Sequence, residues 1–186
     1  MRERQLIPIE VAGSAVSGAV DLLLEDPDIG EVFWWLRPET DTPLAGPMRG
    51  TRLFAVAEKG CGIIGLAALS HIDSEARYAR LSCMVAAPYR LAGAGHWAAT
   101  ETIRRGVRLD GLRHVEAFVR TGNDTARRVL ESMGFRARES SCSPVDGPPP
   151  GHLCLRLDLP TDSKGHFLMA GSARSASRTP SAALSA

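Results

Sequence analysis

Three residues in one short segment have the chemistry to hold a phosphate. They are Arg90, Gly93 and Gly95, in the run Val85-Ala86-Ala87-Pro88-Tyr89-Arg90-Leu91-Ala92-Gly93-Ala94-Gly95. The glycines remove side chains where the backbone turns, so successive amides can point at one ligand. The start of the helix that follows carries roughly half a positive charge and free N–H groups. Arg90 adds a permanent cation, and the set suits a pyrophosphate. Taken alone, a glycine turn before a helix is common, and a tight turn with a solvated arginine explains it equally well.

A second segment narrows the reading. After Val119 come Asn123, Ala126, Val129, Leu130, Glu131, Met133, Gly134 and Phe135, one helix and one strand downstream of the turn. An arginine–glycine turn followed by an N-x-x-A helix ending in Gly-Phe resembles the GNAT superfamily of acetyltransferases, over about Arg52 to Leu159. The run Arg127 to Phe135 looks most similar to the ribosomal-protein (Rim-type) branch, which acetylates protein N-termini and has been reused for small amines.

The resemblance implies an α/β (α+β) domain with a mixed central sheet of about seven strands and about four flanking helices. Two parallel strands, ending near Val85 and Val119, would splay apart as a cleft for acetyl-CoA. Backbone amides of Arg90, Leu91, Ala92, Gly93, Ala94 and Gly95 would hold the pyrophosphate. Backbone groups around Met84 and Val85 would pair with the pantetheine arm, and Asn123 would touch it from the other side. Arg127 or Arg128 would meet the 3′-phosphate; both otherwise belong to solvated helix faces. The acceptor amine would enter against Trp34 and Trp35, which otherwise read as core packing of a second helix.

Three positions depart from the family pattern. Leu91-Ala92 stands where Gly-Lys is common, Leu130 where many relatives carry a tyrosine acid, and Arg80 where a strand glutamate often assists the amine. Candidates for the proton are Glu75, with Asp73 and His71 nearby, and Glu116 or His114 on the next strand; Ser132 is a candidate to assist the thiolate. Each otherwise reads as a solvated polar residue. An α-amino acceptor with a pKa near 8 needs little base help, and positioning then supplies much of the rate. The implied function is acetyl transfer from acetyl-CoA to a primary amine, of a protein N-terminus or a small molecule, by direct attack. The alternative, favoured by Leu130 and Arg80, is a catalytically weak GNAT-like acyl-CoA sensor or interaction module.

The elements that must position these residues follow from periodicity. Gln5–Ile9 reads as a strand, and Ala15–Leu24 places Val16, Val20, Leu23 and Leu24 on one helical face. The cluster Val32–Leu36 reads as a second helix stopped by Pro38, and the Pro- and Gly-rich stretch Thr40–Gly50 as a loop. Leu53–Ala57 and Ile63–Leu69 flank a glycine turn as a hairpin, and Tyr78–Val85 is the next strand. Helix His96–Leu109, strand His114–Val119 and helix Asn123–Met133 follow, with Gly134 as a left-handed cap. Strands at Phe135–Glu139 and Leu153–Leu159 close the domain, taken as residues 1–160. From Thr161 to Ala186 the Ser- and Ala-rich composition predicts a disordered tail.

Composition excludes several roles. A formal net charge of +1 gives no general attraction to nucleic acid or anionic membrane. No apolar run reaches the roughly 20 residues of a membrane span, and the N-terminus lacks a signal-peptide core, so a cytoplasmic enzyme is expected. Cys61, Cys83, Cys142 and Cys154 form no C-x-x-C pair, which predicts neither a zinc site nor disulfides. Many members of the resembled family are dimers, making a homodimer an open expectation.

Overall fold

The computed structural model describes residues 3–9, 14–33, 50–138 and 148–159. Trp34, Trp35, Cys142 and the tail 161–186 lie outside them. Within them the chain runs β1 (Arg4–Pro8), α1 (Ser14–Leu24), α2 (Pro27–Val32), β2 (Arg52–Glu58), β3 (Gly62–Asp73), β4 (Tyr78–Val85), α3 (Ala94–Asp110), β5 (His114–Arg120), α4 (Asp124–Ser132), β6 (Arg136–Arg138) and β7 (His152–Asp158). That order of strands and helices is the one periodicity predicts.

One difference is the second helix. It begins at Pro27, well before the apolar cluster expected to form it. Asp26 explains the start: its carboxylate accepts from the amides of Asp28 (2.9 Å) and Ile29 (3.4 Å), and Pro27 fills the first helical position.

The sheet has seven strands in the order β1-β2-β3-β4-β5-β7-β6. Every neighbouring pair is antiparallel except β4 with β5. Alternation sends side chains to two faces. On one face Leu81, Val115, Ala117, Val119 and Leu155 pack with Ile103 of α3 and Leu130 of α4. On the other, Ala55, Leu66 and Ala68 pack with Val20 and Leu24 of α1 and Ile29 of α2. Helices therefore cover both faces, as a mixed sheet of this kind requires. Among the described residues no helix is long and apolar enough to cross a membrane.

Candidate active site

The parallel pair β4/β5 is a fork. Tyr78, Ala79 and Arg80 pair with His114, Val115 and Glu116, and no pairing follows. Beyond Arg80, residues 81–85 of β4 and 117–120 of β5 have no strand between them. Which backbone groups line this opening follows from ladder alternation. The amide of Ala86 donates to Ile64 (2.9 Å), so the even-numbered residues of β4 bond to β3. Leu81, Cys83 and Val85 therefore turn their N–H and C=O groups toward the opening. On β5 the amide of Thr121 donates to Gly151 (2.9 Å) and that of Leu159 to Arg113 (2.8 Å), so odd residues bond to β7. Phe118 and Arg120 face the opening with their backbone. Two unpaired strand edges of this kind accept an extended chain carrying amides, as an added strand would.

At the mouth of the fork the backbone has a form that suits an anion. From β4 the chain passes through a 3-10 turn (Ala87–Tyr89) into Arg90–Gly93 and then α3. Leu91 and Gly93 are both left-handed, at φ 64° and 74°. Gly93 caps α3 with no side-chain bond, and the first helical bond runs from the amide of Trp97 to the Gly93 carbonyl (3.0 Å). The amides of Ala94, Gly95 and His96 therefore have no helical carbonyl to meet. A free helix start behind a left-handed turn suits phosphate oxygens.

A family model for the acetyltransferase (GNAT) domain matches residues 35–136, more than half of the chain. The chain belongs to the GNAT acetyltransferase family. It is an acetyl-CoA-dependent N-acetyltransferase, a grouping coarser than the Rim-type branch. Solved structures agree in fold. Spermidine N-acetyltransferase from Vibrio cholerae, in complex with CoA and spermine, is 15% identical with a TM-score of 0.62, over 82% of this chain and 92% of its own. N-acetyltransferase PseH from Campylobacter jejuni, in complex with acetyl coenzyme A, is 13% identical with a TM-score of 0.58, over 84% and 99%. No curated protein matches the sequence.

Several of the residues expected at the site are held by contacts within the protein. The Arg90 guanidinium does not remain free at the turn: Nε donates to the Val85 carbonyl (2.9 Å), and Nη1 pairs with Asp28 of α2 (2.8 Å). Of Met84 and Val85, both expected to offer backbone to the pantetheine, Met84 has it turned to β3, whereas Val85 turns toward the fork with its carbonyl already bonded to Arg90. Asn123 caps α4, its Oδ1 accepting from the amide of Ala126 (3.0 Å). Arg127 pairs along its own helix with Asp124 (3.2 Å) and Glu131 (3.9 Å). The Ser132 hydroxyl donates to the Val129 carbonyl (2.6 Å) at the far end of α4. Glu75 lies exposed in the β3–β4 turn, beyond the closed end of the fork.

Glu116 is the candidate proton carrier that stands at the fork. It is fully buried and accepts the Tyr78 hydroxyl (3.1 Å). Beside it the Arg80 guanidinium lies over the Phe118 ring, 4.1 Å from its centroid. Burial, reinforced by the Glu116 charge, raises the Tyr78 pKa above the usual tyrosine value, against the opposing pull of Arg80. On the opposite sheet face, burial pushes the Cys83 thiol up to about 12, and its Sγ donates to the Gly95 carbonyl (3.8 Å).

Two sets of contacts at the fork have no counterpart in the sequence expectations. Asp28 of α2 pairs with Arg90 and Glu31 of α2 with Arg120, so this short helix joins both arms of the fork. Tyr78 was missed as the partner of Glu116; the period-2 pairs Tyr78/Arg80 and Glu116/Phe118 were its only signal.

Proposed function

We propose that this enzyme acetylates the α-amino group of a peptide or protein N-terminus, or a small amine of similar pKa, by direct attack on acetyl-CoA lying in the β4/β5 fork. The observation that carries the reading is the fork itself, two strand edges that part after Arg80 and Glu116 and lead to a helix start with no side-chain cap. Those edges suit the amides of the pantetheine arm, and the turn Arg90–Gly95 suits the pyrophosphate. Asn123 and Arg127, on the helix after β5, flank the cofactor in this proposal, and Trp34 and Trp35 flank the acceptor.

Direct attack is favoured because the described residues near the fork supply poor nucleophiles. The Cys83 thiol stays protonated, Cys154 is 2% exposed, and the Ser132 hydroxyl is bonded to its own helix. In the attack the amine nitrogen forms a bond to the acetyl carbonyl carbon, and the C–S bond breaks to release CoA thiolate. Glu116 takes the amine proton at one remove: the proton passes to the Tyr78 oxygen as the phenolic proton passes to the carboxylate. A base reached indirectly suits an acceptor that is already largely neutral near pH 8, as an α-amino group is and a lysine side chain is not.

The test is calorimetric titration of acetyl-CoA into the wild type and Gly93→Trp, then thiol release with α-amino peptides, lysine-type amines and polyamines. Binding lost in a folded Gly93→Trp protein, with turnover greatest on α-amino peptides, is expected. Equal binding by both proteins would sink the site assignment. Preference for polyamines would sink the acceptor.

A further inference from the structure

The glycine turn lacks the lysine common in its family, and Arg90 ties it to Val85 and Asp28; a second side chain also reaches it. That side chain lies on the first strand. The Arg4 guanidinium donates through Nη2 to the Ala92 carbonyl (3.0 Å) and through Nε to Glu58 (2.7 Å). The Arg4 and Glu58 side chains are 10% and 3% exposed, so this pair is well sheltered from water. Its fork geometry, two nitrogens on two separate acceptors, is what a guanidinium does and an ammonium does poorly.

The geometry points to Arg4 as a positioning residue for the pyrophosphate turn, a reading that rests on that turn holding acetyl-CoA. Peptide planarity carries the effect from a carbonyl to the neighbouring amide. The Ala92 carbonyl and the Gly93 N–H belong to one peptide unit, and the described chain has no cis bonds. In a trans peptide the two groups point in opposite directions. With the carbonyl drawn inward to Arg4, the Gly93 N–H is directed away from β1, on the outer side of an exposed residue. Gly93 then adds its amide to those of Ala94, Gly95 and His96. Glu58 neutralises Arg4, so the arginine acts through the loop's shape and not as a charge on the ligand. Donors fixed before binding lose little entropy when the phosphate arrives.

The experiment compares two donors, acetyl-CoA and S-acetylpantetheine, which carries the same thioester without the pyrophosphate. In the wild type acetyl-CoA has the higher kcat/KM. In Arg4→Met the advantage of acetyl-CoA over S-acetylpantetheine shrinks by about tenfold, the size expected for one lost hydrogen bond to a charged group. An unchanged advantage overturns the inference, and so does an equal loss for both donors, which is how a merely structural residue behaves. Should Arg4→Met not fold, Arg4→Lys decides by the same comparison, since it keeps the charge beside Glu58 and loses the two-pronged reach. A wild type with no preference for acetyl-CoA overturns the inference at its root, because the turn then binds no pyrophosphate. That result is distinct from failure of the Arg4 variants alone.

Discussion

Tyr78 and Glu116 meet across the last paired rungs of β4 and β5, the phenol donating to a carboxylate with no exposure to water. The contact sits where the two strands part. It joins the two arms of the fork at its closed end.

Glu116→Gln keeps an oxygen for the Tyr78 hydroxyl and removes the proton acceptor. Acetyl transfer should fall on the order of a hundredfold at about pH 6.5, where the amine is protonated, and far less at about pH 9. Initial rates across that range check it. A loss equal at both ends would make Glu116 a structural partner of Tyr78 and nothing more.

Tyr78→Phe leaves the buried carboxylate short of a donor, and should cost about 1–3 kcal/mol at neutral pH. The alkaline limb should change in the opposite sense. Because the folded pKa of Tyr78 lies above its unfolded value, its contribution is intact below about pH 10 and lost as pH rises through the folded value. Urea melts should therefore show the wild type losing stability above about pH 10 more steeply than the variant.

Leu91 is 92% exposed and left-handed, a conformation that costs a side-chain-bearing residue energy for no packing in return. Leu91→Gly should raise stability by about 0.5–1 kcal/mol, the strain relieved less the entropy of the added glycine. The urea midpoint should move upward with an unchanged slope. A downward move would mean that the leucine contacts something in the folded protein.

Gly65 lies opposite Val85, and a Cβ there would sit 2.4 Å from the Met84 carbonyl oxygen and 3.0 Å from the Val85 Cα. Backbone cannot yield as a side-chain tip does. Gly65→Ala should cost about 2–3 kcal/mol and weaken acetyl-CoA binding, because the end of β4 that lines the fork must shift. Melting and titration of the one variant test both effects together.

The elements were legible because each buries one face and announces it by spacing: Val115, Ala117 and Val119 alternate, and Leu130 falls on the inner stripe of α4. The turn and the Asn123 cap were legible as local chemistry. What sequence spacing does not carry is contact between distant segments. Arg90 is expected at the turn because it stands beside the glycines, yet Asp28 claims it from another element. Arg4 reaches Ala92 across 88 positions, and no pattern near either residue announces it. Met84 and Val85 were indistinguishable as backbone donors until the register with β3 fixed which one faces the fork. Glu116 was one polar residue among several, and only its pairing opposite Arg80 set it at the point of divergence.

The position of β7 has a consequence for synthesis. It lies between β5 and β6, so among the described residues the outer edge of β5 is paired by the segment His152–Asp158 alone. A nascent chain that has emerged through α4 can already pair β1 to β4, but its β5 has one edge held over three residues and the other bare. Such an edge is open to pairing with other chains. The second arm of the fork is therefore completed late, when almost the whole described chain has been made.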